Sequence, residues 1–172
     1  MDELQEQVAT TALQSLAGHG FALAGGQSLQ AHGIVSRPSA DVDVFSDHLD
    51  AIEFAQALTE VIAALTHVGY SVEILRADQT FARIGVAEPA TSRQTLVEMA
   101  VDPRQFPPAQ LDVGPVLDLR DAVANMVVAV FGRAYARDFI DLAAILRSGR
   151  YRRGDLLQMA RDVDPGFVLD VF

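Results

Sequence analysis

Two aspartates, Asp41 and Asp43, stand in the segment ADVDVF, where strand alternation sends both carboxylates to one face and Val42 and Val44 to the other. Like charges held that close raise each other's pKa and cost folding energy unless a cation lies between them. Mg²⁺, or Mn²⁺ in its place, prefers carboxylate oxygens together with substrate phosphates, the arrangement that neutralises a triphosphate and assists departure of pyrophosphate. Upstream, Gly25 and Gly26 follow the apolar run FALA and precede a helical segment. Backbone amides unobstructed by side chains approach phosphate oxygens at such a turn, and the Ser28 hydroxyl adds a donor. Alone, a Gly-Gly pair is an ordinary turn and an Asp-x-Asp strand is as readily a solvated face. Together, in this order, they point to a nucleoside triphosphate and its metal.

These groups need elements to hold them. Leu4, Val8, Leu13 and Leu16 predict an opening helix over about residues 3 to 17. FALAG reads as a short buried strand, QSLQAHGI as one or two helical turns, and ADVDVF as the strand carrying the aspartates. A long amphipathic helix is expected from about Leu49 to Thr66, with Ile52, Ala55, Leu58, Val61, Ile62 and Leu65 as its apolar stripe. YSVEILR, TFARIGVA and TLVEMAV follow as strands. The proline-rich stretch from Asp102 to Pro115 reads as a loop or a domain joint. Three helices then follow, LRDAVANMVVAVFG, ARDFIDLAAILRSG and RGDLLQMARDV; in the second, Phe139, Leu142 and Ile145 are placed to pack inward. The fold class is α+β: a small mixed sheet with helices on one face, then C-terminal helices. The division expected is a core over 1–102 and a helical part over 103–172 packed on it.

Bulk properties narrow the classes. Half of the 172 residues are apolar, enough to bury a sizeable core, and no stretch approaches the roughly 20 apolar residues of a membrane span. The start, MDELQEQVATT, is acidic and polar where a secretory signal would be basic and apolar, so the expected location is the cytoplasm, with no membrane partner. With no cysteine, thiolate zinc sites, disulfides and cysteine nucleophiles are excluded. A net charge of -10 argues against indiscriminate nucleic-acid binding, yet every one of the 13 basic residues is an arginine, and Arg147, Arg150, Arg152, Arg153 and Arg161 gather near the end. That group is a solvated helix end or a contact for phosphate or RNA.

A Gly-Gly-x-Ser element followed after 12 residues by Asp-x-Asp resembles the signature of the polymerase-β nucleotidyltransferase superfamily. The run FALAGGQSLQAHGIVSRPSADVDVF is similar to the first motif of the AbiEii-type nucleotidyltransferase toxins, the group that includes the MenT toxins. LVEMAVDPRQFPP with LDVGPVLDLRDAVAN, and FGRAYARDFIDLAAIL, resemble later family segments, so the likeness spans about residues 18 to 148. It implies a polymerase-β-like nucleotidyltransferase fold in which Gly25, Gly26 and Ser28 hold phosphate and Asp41 and Asp43 ligate metal. Glu98 is the candidate third metal carboxylate or general base, with Asp102 second. Ser39 occupies a hydroxyl position ahead of the first aspartate, or simply holds its turn. Arg37 touches the triphosphate or pairs with a nearby carboxylate. In the helix of Asp138 and Asp141, the resemblance implies a catalytic role for Asp141 and a phosphate contact for Arg137; the alternative ties Asp141 to an arginine such as Arg133.

One residue departs from the pattern: family members carry a phosphate-binding lysine where this chain has Met126, which fits an apolar stripe with Val123, Val127 and Val130. Loss of such a charge costs on the order of 2 to 4 kcal/mol of barrier. The resemblance therefore implies an Mg²⁺-dependent transferase moving a nucleotide from an NTP to an acceptor hydroxyl, as the toxin of a toxin–antitoxin pair acting on tRNA 3′ ends or other RNA. Alternatives are an impaired homologue that binds nucleotide or a partner, and a transferase for a small molecule or protein.

Overall fold

The computed structural model describes residues 1–164 and 166–167. A seven-stranded mixed sheet runs in the order β3-β4-β5-β2-β1-β7-β6. Its strands are β1 (Ala22–Leu23), β2 (Asp41–Ser46), β3 (Ser71–Ala77), β4 (Phe81–Glu88), β5 (Arg93–Val101), β6 (Ala109–Leu111) and β7 (Gly114–Val116). The helices are α1 (Glu3–Ser15), α2 (Gly25–Ala31), α3 (Ala51–His67), α4 (Leu119–Gly132), α5 (Ala136–Arg147) and α6 (Arg153–Val163). β2 runs parallel to β5, and β1 is antiparallel to β2. No helix among the described residues is long and apolar enough to cross a membrane.

Helices cover both faces, where the sequence led us to expect one. On the first face, α1 and α3 bring Leu4, Val8, Leu13, Phe54, Val61 and Leu65 onto Val42, Val44, Ile84, Val97 and Met99. On the other, Leu29, Val123, Val127, Ile145 and Leu156 close over Ala22, Ala24 and Leu117. This second core stops at β2. Beyond it the same face of β5, β4 and β3 is left with Gln94, Arg83 and Glu73 exposed, so the aspartate strand lies where a covered half-face meets an open one.

Local chemistry sets the boundaries. Asp50 caps α3 by accepting from Ile52 N at 2.8 Å and Glu53 N at 2.9 Å, while Glu53 reaches back to Asp50 N at 3.1 Å. The buried stripe of α3 is Phe54, Ala57, Leu58, Val61 and Leu65, and Ile52 and Ala55 face solvent, contrary to expectation. Phe54 fixes the phase, since its ring packs on Phe21 with centroids 6.4 Å apart. Residues 102–115, expected as a loop or joint, contain the β6–β7 hairpin, and β7 adds to the core sheet alongside β1 at Leu23 and Val116. Asp121 anchors the proline segment ahead of that hairpin by accepting from Gln105 N and Phe106 N at 3.1 and 3.0 Å.

In α5, Phe139 does not pack inward; it is half exposed. Asp138 and Asp141 are both buried instead and, with Ile145, set the helix phase. Arginine pairing makes that burial tolerable, which hydrophobic periodicity alone does not register.

Gln27 is fully buried, and neither side-chain amide atom has a hydrogen-bond partner among the described residues. An enclosed amide without partners costs about 1 to 3 kcal/mol relative to an apolar group of similar shape. Gln27→Leu is therefore expected to raise Tm by roughly 2 to 12 °C in a thermal melt; a lowered Tm would show that the amide is satisfied in solution.

Candidate active site

The site grows from a three-strand junction. Ala24, directly after β1, donates its N–H to Asp43 O at 2.8 Å, which bolts the start of the glycine turn to the aspartate strand. Gly25 has φ 54°, in the left-handed region, and is the first residue of α2. A Cβ built on it would lie 1.9 Å from Asp43 Oδ2. Both conditions admit only glycine at this position. The Asp43 carboxyl thus lies against bare backbone, and the turn and the carboxylate share one floor.

Parallel pairing of β2 with β5 sets Asp43 opposite Glu98 and Asp41 opposite Leu96. Asp41, Asp43 and Glu98 consequently crowd one patch of one face. The Asp43 carboxyl is pushed up to about 7, by burial first and then by the charges of Glu98 and Asp41, against the pull of Arg133 and Arg137. Part of its surface still reaches the cleft, so the group is enclosed but accessible. Asp41 is raised too, by burial and Glu98, with Arg137 and Arg83 opposing. Two carboxylates made costly by burial and by neighbouring negative charge, on one accessible face, form a donor set suited to a hard divalent ion that takes its other ligands from phosphate and water. Glu98 is turned to Arg83, its Oε1 accepting from Nε at 2.8 Å and lying 2.6 Å from Nη2. Among the described residues no three acidic or histidine side chains are gathered as a closed metal cage.

A cleft of about 470 Å³ opens beside Asp43, lined by Gly25, Glu98, Asp102, Asn125, Met126 and Arg133 among others. Asn125 donates to Asp102 Oδ2 at 3.0 Å. Met126 is buried in the second core and shows the cleft only its edge. Positive charge comes from the junction of α4 and α5. Arg133 is held by Asp138 through two bonds of 3.1 Å, and Arg137 Nη1 lies 4.0 Å from Asp41 Oδ2.

A second set gathers around Gly26, where an added Cβ would meet Arg37 Nη2 at 3.2 Å and Asp141 and Ser39 oxygens at 3.6 Å. Arg37 donates from Nε to Asp141 Oδ1 at 2.6 Å and from Nη2 to Asp141 Oδ2, and its Nη1 serves Pro38 O at 2.9 Å. Of the two readings left open by the sequence for Arg37, pairing with a carboxylate is the one observed. Asp141 is fully buried and its partner is Arg37, while Arg133 belongs to Asp138. The pair clamps the loop before β2 to α5. Ser28 is buried, and its hydroxyl donates to Gly25 O at 2.7 Å, bracing the turn. The Ser39 carbonyl accepts from Gln5 of α1 at 2.9 Å. Gln5 and Arg83 support the site without having been singled out in the sequence. Only Arg83 carried a signal, since strand pairing of TFARIGVA with TLVEMAV places it across from Glu98.

The chain matches the model of a family described as nucleotidyl transferase AbiEii toxin, type IV toxin–antitoxin system, over residues 9–164. A search of curated proteins gives no significant match. Among solved structures it is similar to JHP933 from Helicobacter pylori, at 18% identity and TM-score 0.64 over 94% of this chain and 75% of that one. It is also similar to the MenT4 nucleotidyltransferase toxin of Mycobacterium tuberculosis, at 21% identity and TM-score 0.63 over 93% and 65%. A Megavirus polyadenylate synthase gives 12% identity and TM-score 0.57 over 86% and 32%. At such identities the likeness carries the fold, and that fold is the polymerase-β-like nucleotidyltransferase fold expected from the glycine turn and the aspartate pair.

Two outcomes test this geometry. The folded-state pKa of Asp43 lies above its ordinary 3.8, so its contribution to stability is present below that value and is lost as pH rises through about 7. In EDTA, Asp43→Asn should gain Tm over wild type at pH 8 but not at pH 4; an equal difference at both would refute the crowded-charge description. Asp141→Ala leaves the Arg37 guanidinium without its buried partner and should cost about 3 kcal/mol in denaturant unfolding, whereas a loss under 1 kcal/mol would deny the clamp.

Proposed function

The chain belongs to the AbiEii nucleotidyl transferase toxin family, and on that premise we propose that it transfers a nucleotide from an NTP to a hydroxyl of RNA, with tRNA 3′ ends as the acceptor class. Membership makes it a nucleotidyltransferase and implies an antitoxin counterpart. The observation that carries the metal and nucleotide part of this reading is the register of Asp43 with Glu98 beside Gly25, with Asp41 on the same face. We assign the metal and nucleotide machinery to 1–102 and the arginine-bearing wall to 103–172.

Asp41 and Asp43 would hold Mg²⁺ or Mn²⁺, with Glu98 as a further ligand once released from Arg83. The ion, when bound, neutralises triphosphate charge and eases departure of pyrophosphate. The residues do the rest. The Gly25–Gly26 turn admits phosphate close to the backbone, braced by Ser28, while Arg37, Ser39 and Asp141 keep the loop before β2 in place. Arg133 and Arg137 face the phosphates from the α4–α5 wall and supply the charge that Met126 does not. The acceptor oxygen attacks the α-phosphorus, the bond from that phosphorus to the bridging oxygen breaks, and the hydroxyl proton passes to a carboxylate, with Glu98 closest in register to Asp43.

Arg137→Ala is expected to lower kcat/KM for NTP by about a hundredfold, the scale of one charge-stabilising donor; unchanged kinetics would place the triphosphate elsewhere. NTP labelled at the α-phosphate should mark the acceptor while γ-labelled NTP leaves it unmarked, and transfer of the γ-label would make the protein a kinase instead. Reversing Arg147, Arg150, Arg152 and Arg153 to glutamate should abolish RNA binding and spare NTP binding. Equal loss of both would deny that the acceptor is RNA held by this group.

A further inference from the structure

Tyr135, Phe139 and Ile140 are about half exposed, an unusual concentration of large apolar side chains on one short stretch. Asp138, Asp141 and Ile145 occupy the inner side of α5, so Ala136, Phe139, Ile140 and Arg147 follow its outer side. Arginines bracket the aromatic end: the guanidinium carbons of Arg133 and Arg137 stand 5.3 and 5.4 Å from the Tyr135 ring centroid. Arg137 also reaches to within 4.0 Å of Asp41. At the far end, Arg147 and then Arg150, Arg152 and Arg153 have no acidic partner among the described residues, nor has Arg161 in the last turn of α6, whereas the other eight arginines each have one. Unpaired cations in a chain of net charge -10 mark a place where an outside anion is the counter-charge.

We propose that the outer side of α5, from Tyr135 through Phe139 and Ile140 to Arg147, is the track on which a single-stranded RNA end lies as it enters the site, its bases stacked on Tyr135 and Phe139 and its phosphates facing Arg147 and the unpaired arginines beyond it, while Arg133 and Arg137 stay with the triphosphate. Flat rings alternating with guanidinium groups are what a flexible nucleic-acid strand needs, because every base offers a stacking face and every linkage a charge. The helix is 12 residues long, hence about 18 Å, a span that joins the unpaired arginines to Asp41. The rival approach to Asp41 is a recess of about 440 Å³ over the open part of the sheet. Its lining includes Asp41, Glu73, Gln94 and Thr95 but no basic residue, so a polyanion is repelled there. This inference rests on RNA being the acceptor.

The test compares binding of a labelled RNA hairpin with a short single-stranded 3′ end and of its blunt counterpart. The double variant Tyr135→Leu, Phe139→Leu keeps apolar area and removes both rings. Both residues are half exposed, so folding should survive, and melting checks it. Wild type is expected to favour the overhanging hairpin, the double variant to bind it about thirtyfold more weakly with NTP binding intact, and Tyr135→Phe to stay near wild type. Retained affinity in the double variant alongside continued transfer to RNA overturns the track and leaves RNA as acceptor. Equal wild-type affinity for both hairpins also overturns it. Failure of wild type to bind or modify either RNA overturns the track together with the reading it rests on.

Discussion

Charge crowding between β2 and β5 is the constraint to which the rest of the molecule answers. Parallel pairing fixes Asp43 opposite Glu98, and alternation brings Asp41 to the same side. Burial makes the charge of Asp41 and Asp43 costly, and Glu98 beside them adds to it. A fold selected for stability alone would place an apolar or paired group there. The surrounding structure answers the charge in specific ways: Arg83 takes Glu98, Arg137 approaches Asp41, and Arg133 faces Asp43 from the end of α4. Gly25 makes the crowding sterically possible by leaving room for the Asp43 carboxyl where any side chain would collide.

The Arg37–Asp141 pair answers a different need. It joins a loop that precedes β2 to a helix 104 residues later in the chain, and Asp141 is wholly enclosed. A buried pair of this kind adds little net stability compared with apolar packing, but losing one partner is costly, which makes it a device for fixing geometry. It holds Ser39 and Gly26 next to the aspartate strand and carries α5, with Arg137, toward Asp41. The helical part beyond the sheet therefore reaches the aspartates through ionic contacts and lines the cleft beside them with α4, while most of its apolar residues serve the second core.

Much of this was legible in the sequence because it depended on spacing. Alternation placed Asp41 and Asp43 together, and the family resemblance pointed to Glu98 on the third strand after the long helix. What periodicity could not give was phase where polar groups take the interior. Ile52 was assigned inward, but Phe54 commands α3. Phe139 was assigned inward, but two arginine-paired aspartates turned it out. The prolines of 102–115 suggest a joint, yet a hairpin with a two-residue turn forms after Pro108, takes Pro115 into β7 and extends the sheet. The partner of Asp141 was not readable either, since nothing local connects residue 141 with residue 37. Membership of the AbiEii family brings the chemistry into view; the contacts just described show which groups are free to take part in it and which are occupied in holding it.

Whether Asp41 and Asp43 hold the catalytic cation is most directly read by titrating Mn²⁺ into the protein with a non-hydrolysable NTP analogue and following free Mn²⁺ by electron paramagnetic resonance. Tight binding by wild type, weakened at least a hundredfold in both Asp41→Asn and Asp43→Asn while each variant still melts cooperatively, is the predicted result. Mn²⁺ binding unchanged in either variant would mean that the ion is held elsewhere, and would contradict the central assignment.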